Sequence, residues 1–251
     1  MKAAVPAEVL QSSLLLENLV LPEALDSCPG PINLTVGLQE FLLIEGLSAL
    51  EADVLLRTAA TLRRPVAGRI YHWGRDLFAL PRRSLYPWRK RLAFVSPWQS
   101  LLPRLTLLEN VTLPLTLATG RSAPELGRQH QALLEQLSLA EYQSSYPGEL
   151  PARVQHLALW AREMIQQPLL ILGVLAGQEE VYGAPVLAPH LLPLLEDYHR
   201  QGRGAIVLAG PFLDWAYPVA DRRLSCRENG WEERPLPGRR QHPLINYLKV
   251  L

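Results

Sequence analysis

Apolar residues along the chain gather into short runs that alternate with longer stretches of helical spacing. Leu34-Thr35-Val36 and Phe41-Leu42-Leu43-Ile44 read as short strands parted by a turn around Gly37. From Asp53 to Leu62 the spacing predicts a helix, with Val54, Leu55, Leu56 and Leu62 largely on one face. Pro65 and Gly68 stop it. Arg69-Ile70-Tyr71 and Leu92–Val95 resume the strand pattern, the second ending at Pro97. A helix-rich stretch follows from Leu107 to Pro147, punctuated by Pro114, Gly120 and Pro124. Pro151 to Gln167 reads as a helix whose proline falls in the first turn, where a missing N–H costs nothing. The continuous apolar run Pro168–Leu175 suits a strand buried on both faces. A helix from Pro189 to Gln201 leads into a further buried strand, Gly204–Ala209. Buried strands alternating with helices predict an α/β fold with a parallel sheet, interrupted by a helical insertion.

With 251 residues and 48% of them hydrophobic, the chain can bury one large α/β core or two small ones. Lys+Arg 25 against Asp+Glu 24 leaves a formal charge of +1, so no domain-wide basic excess points to nucleic acid as a partner. Cys28 and Cys226 lie far apart and fit no metal-ligand spacing, nor do His156, His190, His199 and His242. Neither a metal nor a disulfide framework is expected. No signal segment opens the chain, and no apolar run approaches the ~20 residues that cross a bilayer. A cytosolic globular protein is the expectation. Asp214-Trp215 and Trp231 read as structural, and the basic stretch Arg82–Arg91, with Tyr86 and Trp88 between its charges, as a solvated surface. Contact of that stretch with anionic headgroups is its second reading.

Several landmarks occur in order. Phe94-Val-Ser-Pro-Trp-Gln-Ser-Leu-Leu-Pro-Arg-Leu-Thr-Leu-Leu-Glu-Asn-Val111 is similar to F-V-F-Q-x-x-x-L-L-P-x-L-T-x-x-E-N-V, the glutamine-loop segment of ATP-binding cassette (ABC) ATPases. Tyr146–Leu150, Ala161-Arg162 and Gln167-Pro168 resemble the run-in and run-out of that family's signature helix. Arg64-Pro65-Val-Ala-Gly68 resembles R-P-T-S-G, and Ala220-Asp221-Arg222 the A-D-R after the switch histidine. The resemblance covers about 180 residues and implies a P-loop NTPase-like core carrying a parallel sheet plus a helical subdomain insertion. It implies a core of residues 1–96 and 157–228, a helical subdomain at 97–156, and a C-terminal tail at 229–251.

The chemistry expected of that frame is changed at each motif. The phosphate loop G-x-x-x-x-G-K-[ST] needs glycines so that backbone N–H groups can close on phosphate, a lysine for charge and a hydroxyl for Mg²⁺. Counting back from Gly68 places the loop at Gly46–Asp53, with Glu51 at the second glycine, Ala52 at the lysine and Asp53 at the serine. Two carboxylates there repel a triphosphate, and helix capping is the better reading of Glu51 and Asp53. Pro97 stands at the glutamine, with Gln99 two residues late, and Pro151-Ala152-Arg153 replaces the signature donors. Val174 and Leu175 stand where an Asp would hold Mg²⁺ and a Glu would activate water, and Phe212 stands at the switch histidine. These replacements predict a pseudo-ATPase that is not an enzyme and binds no cofactor.

The resemblance implies partners. Cassette ATPases pair and dock on a permease through the glutamine-loop region, where Pro97, Trp98, Leu101, Leu102 and Pro103 are the candidate anchors. A permease, a second and active ABC ATPase or a second copy of this chain are the expected partners, on the cytoplasmic face of a bacterial inner membrane. Gln241–Lys249 is similar to an ending found in ATPases of MCE-type (mammalian cell entry) phospholipid transporters. That implies lipid transport, an MCE-type lipid-binding subunit, and partner docking through Leu244, Tyr247 and Leu248. Two other readings stay open: a soluble regulator or phosphate-ligand-binding protein on the same fold, and an ATPase with a displaced mechanism using Glu45, Glu51 or Asp53 as base.

Overall fold

The computed structural model describes residues 12–23, 25, 30–176, 184–227 and 230–236. Ten strands run β1 (Ser12–Val20), β2 (Ile32–Gly37), β3 (Phe41–Glu45), β4 (Ala67–His72), β5 (Arg75–Asp76), β6 (Leu92–Val95), β7 (Leu170–Val174), β8 (Ala205–Ala209), β9 (Arg222–Arg227) and β10 (Gly230–Arg234). The helices are α1 (Ala49–Ala59), α2 (Tyr86–Arg89), α3 (Leu107–Thr119), α4 (Ala123–Gln129), α5 (Gln131–Gln136), α6 (Ala152–Met164) and α7 (Ala184–Arg200).

Six strands form one sheet in the order β10-β9-β3-β8-β7-β6, parallel from β9 to β6 with β10 antiparallel at the edge. Burial on both faces explains the unbroken apolar runs: in β3, Phe41 and Leu43 point to one side while Leu42 and Ile44 point to the other. Helices α3, α6 and α7 cover the first face. Helix α1 covers the second, together with a four-stranded antiparallel sheet, β2-β1-β4-β5. Between β6 and β7 the chain is helical, as the insertion expected from sequence requires. At the middle of β7, Gly173 lets Trp160 of α6 lie flat on the sheet. A Cβ there would meet the indole at 2.6 Å and Leu208 at 2.8 Å.

The α/β fold with a parallel sheet and helical insertion is observed, with differences in detail. The antiparallel sheet is an addition, and β2 and β3, adjacent in sequence, belong to different sheets. The helix expected from Asp53 starts one turn earlier, because Ser48 and Glu51 form a capping box, and it ends before Leu62. The helix expected from Pro189 starts at Ala184 and holds Pro189 and Pro193 inside it. The segment read as tail begins with β10. Cys28, His242 and the docking candidates Leu244, Tyr247 and Leu248 lie outside the described residues.

Candidate nucleotide site

Strand β3 delivers the loop at the carboxyl end of the parallel sheet, where open α/β folds bind ligands. Gly46 turns there with φ +80°, and a Cβ would meet the Cys226 carbonyl oxygen of β9 at 2.3 Å. Packing against β9 is therefore reason enough for a glycine. Ser48 then caps α1: its Oγ accepts from the Glu51 N–H at 3.3 Å, and the Glu51 carboxylate accepts from the Ser48 N–H at 2.8 Å. Residues Ala49–Asp53 are thus helical, and Glu51 satisfies an N-terminal donor that an anion could otherwise take. Ala52 is fully buried under the helix.

Asp53 does not cap. Its carboxylate takes a two-point hydrogen bond from Arg57, at 2.8 and 2.9 Å, and a third from Ser96 Oγ at 2.5 Å. Arg57 in turn lies over the Phe94 ring, 5.1 Å from its centroid. Glu45, just ahead of the loop, accepts from the Tyr217 hydroxyl at 2.6 Å and from Arg223 Nε at 2.5 Å. Burial, reinforced by the bond to Glu45, pushes the Tyr217 phenol up to about 12. Each of the three carboxylates considered as a base is engaged by its own neighbours. Among the described residues there is no group of three or more His, Cys, Asp or Glu side chains that could hold a metal ion.

The remaining motif positions fall around the same edge. Val174 and Leu175 are fully buried, and Leu175 N–H bonds the Ala209 carbonyl at 3.0 Å. Phe212 is half exposed at φ +59°, a left-handed position that an aromatic residue seldom holds. Pro151 precedes α6 without a side-chain cap; Ala152 is partly exposed and Arg153 exposed, its Nη1 3.4 Å from His190 Nε2. Burial, then Arg153, lowers the His190 pKa.

The glutamine-loop segment is built more firmly. Gln99 accepts from the Ser96 N–H at 3.1 Å and donates to the Phe94 carbonyl at 3.1 Å, closing the loop on itself. Trp98, Leu102 and Pro103 are exposed and Pro97 is half-buried, whereas Leu101 turns into the core and offers no surface. Asn110, missed as a functional position from sequence, organises the whole bend. Its Oδ1 accepts from the Leu102 N–H at 2.7 Å, and its Nδ2 lies 3.0 Å from the carbonyls of Leu102, Leu105 and Thr106. The signal was the asparagine inside an otherwise apolar helical stretch, a buried polar side chain that demands partners. In the A-D-R segment, Asp221 accepts from the Phe41 N–H and lies 3.2 Å from His199, and Arg222 pairs with Glu40.

This chain is 30% identical over 223 residues to the methionine import ATP-binding protein MetN of Rhizobium johnstonii, covering 88% of this chain and 59% of that protein. It is 34% identical over 143 residues to the lipoprotein-releasing system ATP-binding protein LolD of Geobacter metallireducens, covering 57% and 63% respectively. The chain spans about three fifths of the length of these curated relatives. Among solved structures, a dimeric ATP-binding cassette in a post-hydrolysis state, bound to ADP and Pi, superimposes with TM-score 0.72 at 22% identity, covering 90% of this chain and 100% of that one. A subunit from Clostridium perfringens, part of the ABC transporter complex cbiONQ, gives TM-score 0.68 at 15% identity, covering 88% and 87%. No protein-family model matches the chain. The fold is that of the ATP-binding cassette domains. The relatives of this chain are ATP-binding subunits of ABC transporters. Those relatives overturn the expectation that the chain is not an enzyme: they are named as ATP-binding proteins and point to ATPase activity instead of a pseudo-enzyme.

Proposed function

We propose that this chain is the ATP-binding cassette ATPase subunit of a membrane transporter, working as one of a pair on a permease. The observation that carries the reading is the likeness to transporter ATP-binding subunits over 88% of the chain, together with the intact frame of the 96–110 segment. The core comprises 1–96 and 157–228, and the helical subdomain 97–156 presents Trp98, Leu102 and Pro103 to a permease helix. No helix among the described residues is long and apolar enough to cross a membrane.

ATP turnover belongs to the assembled complex. Glu51, Asp53 and Glu45 are tied to Ser48, Arg57 and Arg223, so the loop Gly46–Asp53 offers a triphosphate no free cation of its own. The opposing charge comes from the second cassette of the pair, across the face bearing Pro151, Ala152, Arg153 and Phe212, with Val174 and Leu175 buried beneath it. For the cargo, the lipoprotein-releasing relatives support a lipid or lipoprotein substrate, with an MCE-type subunit as a further partner. The methionine import relatives favour a second reading, a small-molecule importer.

The test is purification from native membranes in mild detergent, followed by ATP turnover of the recovered complex. Recovery with a permease and turnover in that complex support the reading, and Trp98→Ala with Leu102→Ala is expected to cut the recovered permease at least tenfold. Recovery as a lone chain without turnover overturns it. Reconstitution with lipid or with methionine separates the two cargoes by which one stimulates turnover.

A further inference from the structure

Charge is distributed unevenly in this nearly neutral chain. Nine of its 25 Lys and Arg fall between positions 63 and 91, with Asp76 the single acid there; the rest of the chain holds 16 cations against 23 acids. The structure draws this segment together on the antiparallel sheet and α2. At the β4–β5 turn Trp73 has φ +46° and Gly74 φ +77°, a two-residue turn that puts a bulky aromatic in the left-handed region. That turn lets Trp73 stack on Trp88 of α2, with ring centroids 6.2 Å apart. Arg75 and Arg91 lie over the Trp88 ring at 5.5 and 5.2 Å, and Lys90 lies over Tyr86 at 4.6 Å.

Among the described residues, Arg75, Lys90 and Arg91 have no carboxylate partner, in contrast to Arg63, which pairs with Glu23. Their charge is held on aromatic faces and presented to solvent. Tyr86, under Lys90, is 60% exposed, and Leu62, next to the Thr61 carbonyl on the same side, is 48% exposed. Arg89 reaches across to the Thr61 carbonyl at 3.0 Å, joining Leu62 to the α2 side of the patch.

We propose that this patch is a docking surface for a bilayer rich in anionic phospholipid. Cations bind the phosphate headgroups, Tyr86 and Trp88 suit the interfacial zone, and Leu62 reaches toward the acyl boundary. The exposed Leu62 chooses the lipid over nucleic acid, since a phosphate backbone gives it nothing to bury in. The acidic remainder of the chain is repelled by the same headgroups, which confines contact to this one face.

The test is flotation of the full chain with vesicles of mixed phosphatidylglycerol and phosphatidylcholine, against phosphatidylcholine alone. Such vesicles hold no permease, so the result is independent of the transporter reading. Binding to the anionic vesicles that weakens with salt is expected. A variant combining Arg75→Gln, Lys90→Gln and Arg91→Gln is expected to lose about a hundredfold in partition, about fivefold per cation. Removing three charges elsewhere (Arg121→Gln, Arg128→Gln, Arg200→Gln) is expected to leave binding unchanged. Leu62→Ser is expected to lower vesicle binding several-fold without altering retention on single-stranded DNA. Absence of binding by the unaltered chain, or binding insensitive to the patch variant, overturns the proposal. Retention on single-stranded DNA as tight as on anionic vesicles, lost in the patch variant, overturns it in favour of nucleic acid.

Discussion

Two segments leave the same edge of the parallel sheet and are held by different physics. After β3, Gly46–Asp53 is fixed by charged side chains near the surface: Glu51 on Ser48, and Asp53 on Arg57 and Ser96. After β6, the bend up to Asn110 is fixed by one neutral amide that is fully buried. Solvent competes with the first set of bonds and cannot reach the second. The loop after β3 is therefore more open to replacement residue by residue, whereas the bend after β6, started by the Gln99 turn, depends most heavily on the Asn110 amide.

Acid tests the comparison most strongly. His72, bonded to the Ala59 carbonyl at the end of α1, and His156, in α6, are both lowered by burial from 6.5 to about 4. Each is neutral in the folded chain and protonates first in the unfolded one. Stability is full above about 6.5 and falls toward pH 4, by about 3 kcal/mol per histidine at the lower end. Urea midpoints at pH 7 and 4.5 check this, and His72→Gln and His156→Gln should each remove one share of the acid loss. Next in size is Asn110→Ala, expected to cost about 2–3 kcal/mol by leaving the Leu102 N–H without its acceptor and removing the amide donor shared by the carbonyls of Leu102, Leu105 and Thr106, two of which keep backbone partners. Urea unfolding measures the cost, and hydrogen exchange at Leu102 should rise with it.

Asp53→Ala is expected to cost less, about 1–2 kcal/mol, because Arg57 can turn to water once released. A cost equal to that of Asn110→Ala would erase the distinction between the two segments. Smallest is Glu51→Ala, at about 1 kcal/mol for a lost capping box, with Glu51→Gln restoring most of it. Thermal unfolding followed by circular dichroism resolves both.

The buried strands were legible because a strand covered on both faces leaves an unbroken apolar run, as Pro168–Leu175 and Gly204–Ala209 do. Strand β1 escaped because Leu14, Leu15 and Leu16 in a row carry no period that separates strand from helix. Strand β9 escaped for the opposite reason: Arg222-Arg223-Leu-Ser-Cys-Arg227 looks polar, yet Arg222 and Arg223 pair with Glu40 and Glu45. At the candidate site, capping by Glu51 followed from its position at a helix start. The partner of Asp53 did not, since Ser96 lies 43 residues away and joins it only through the packing of α1 against β6. Leu101 and Trp98 looked alike as apolar anchors; only the turn closed by Gln99 decides that the first faces inward and the second outward.

The Ser96–Asp53 hydrogen bond also ties the two segments to each other. Through it the first turn of α1 and the bend carrying Trp98 share a contact, and Trp98 N–H itself sits 3.4 Å from the same Ser96 oxygen. Two loops meet at one hydroxyl, so a displacement of Trp98 that carries Ser96 with it removes a hydrogen-bond donor from Asp53.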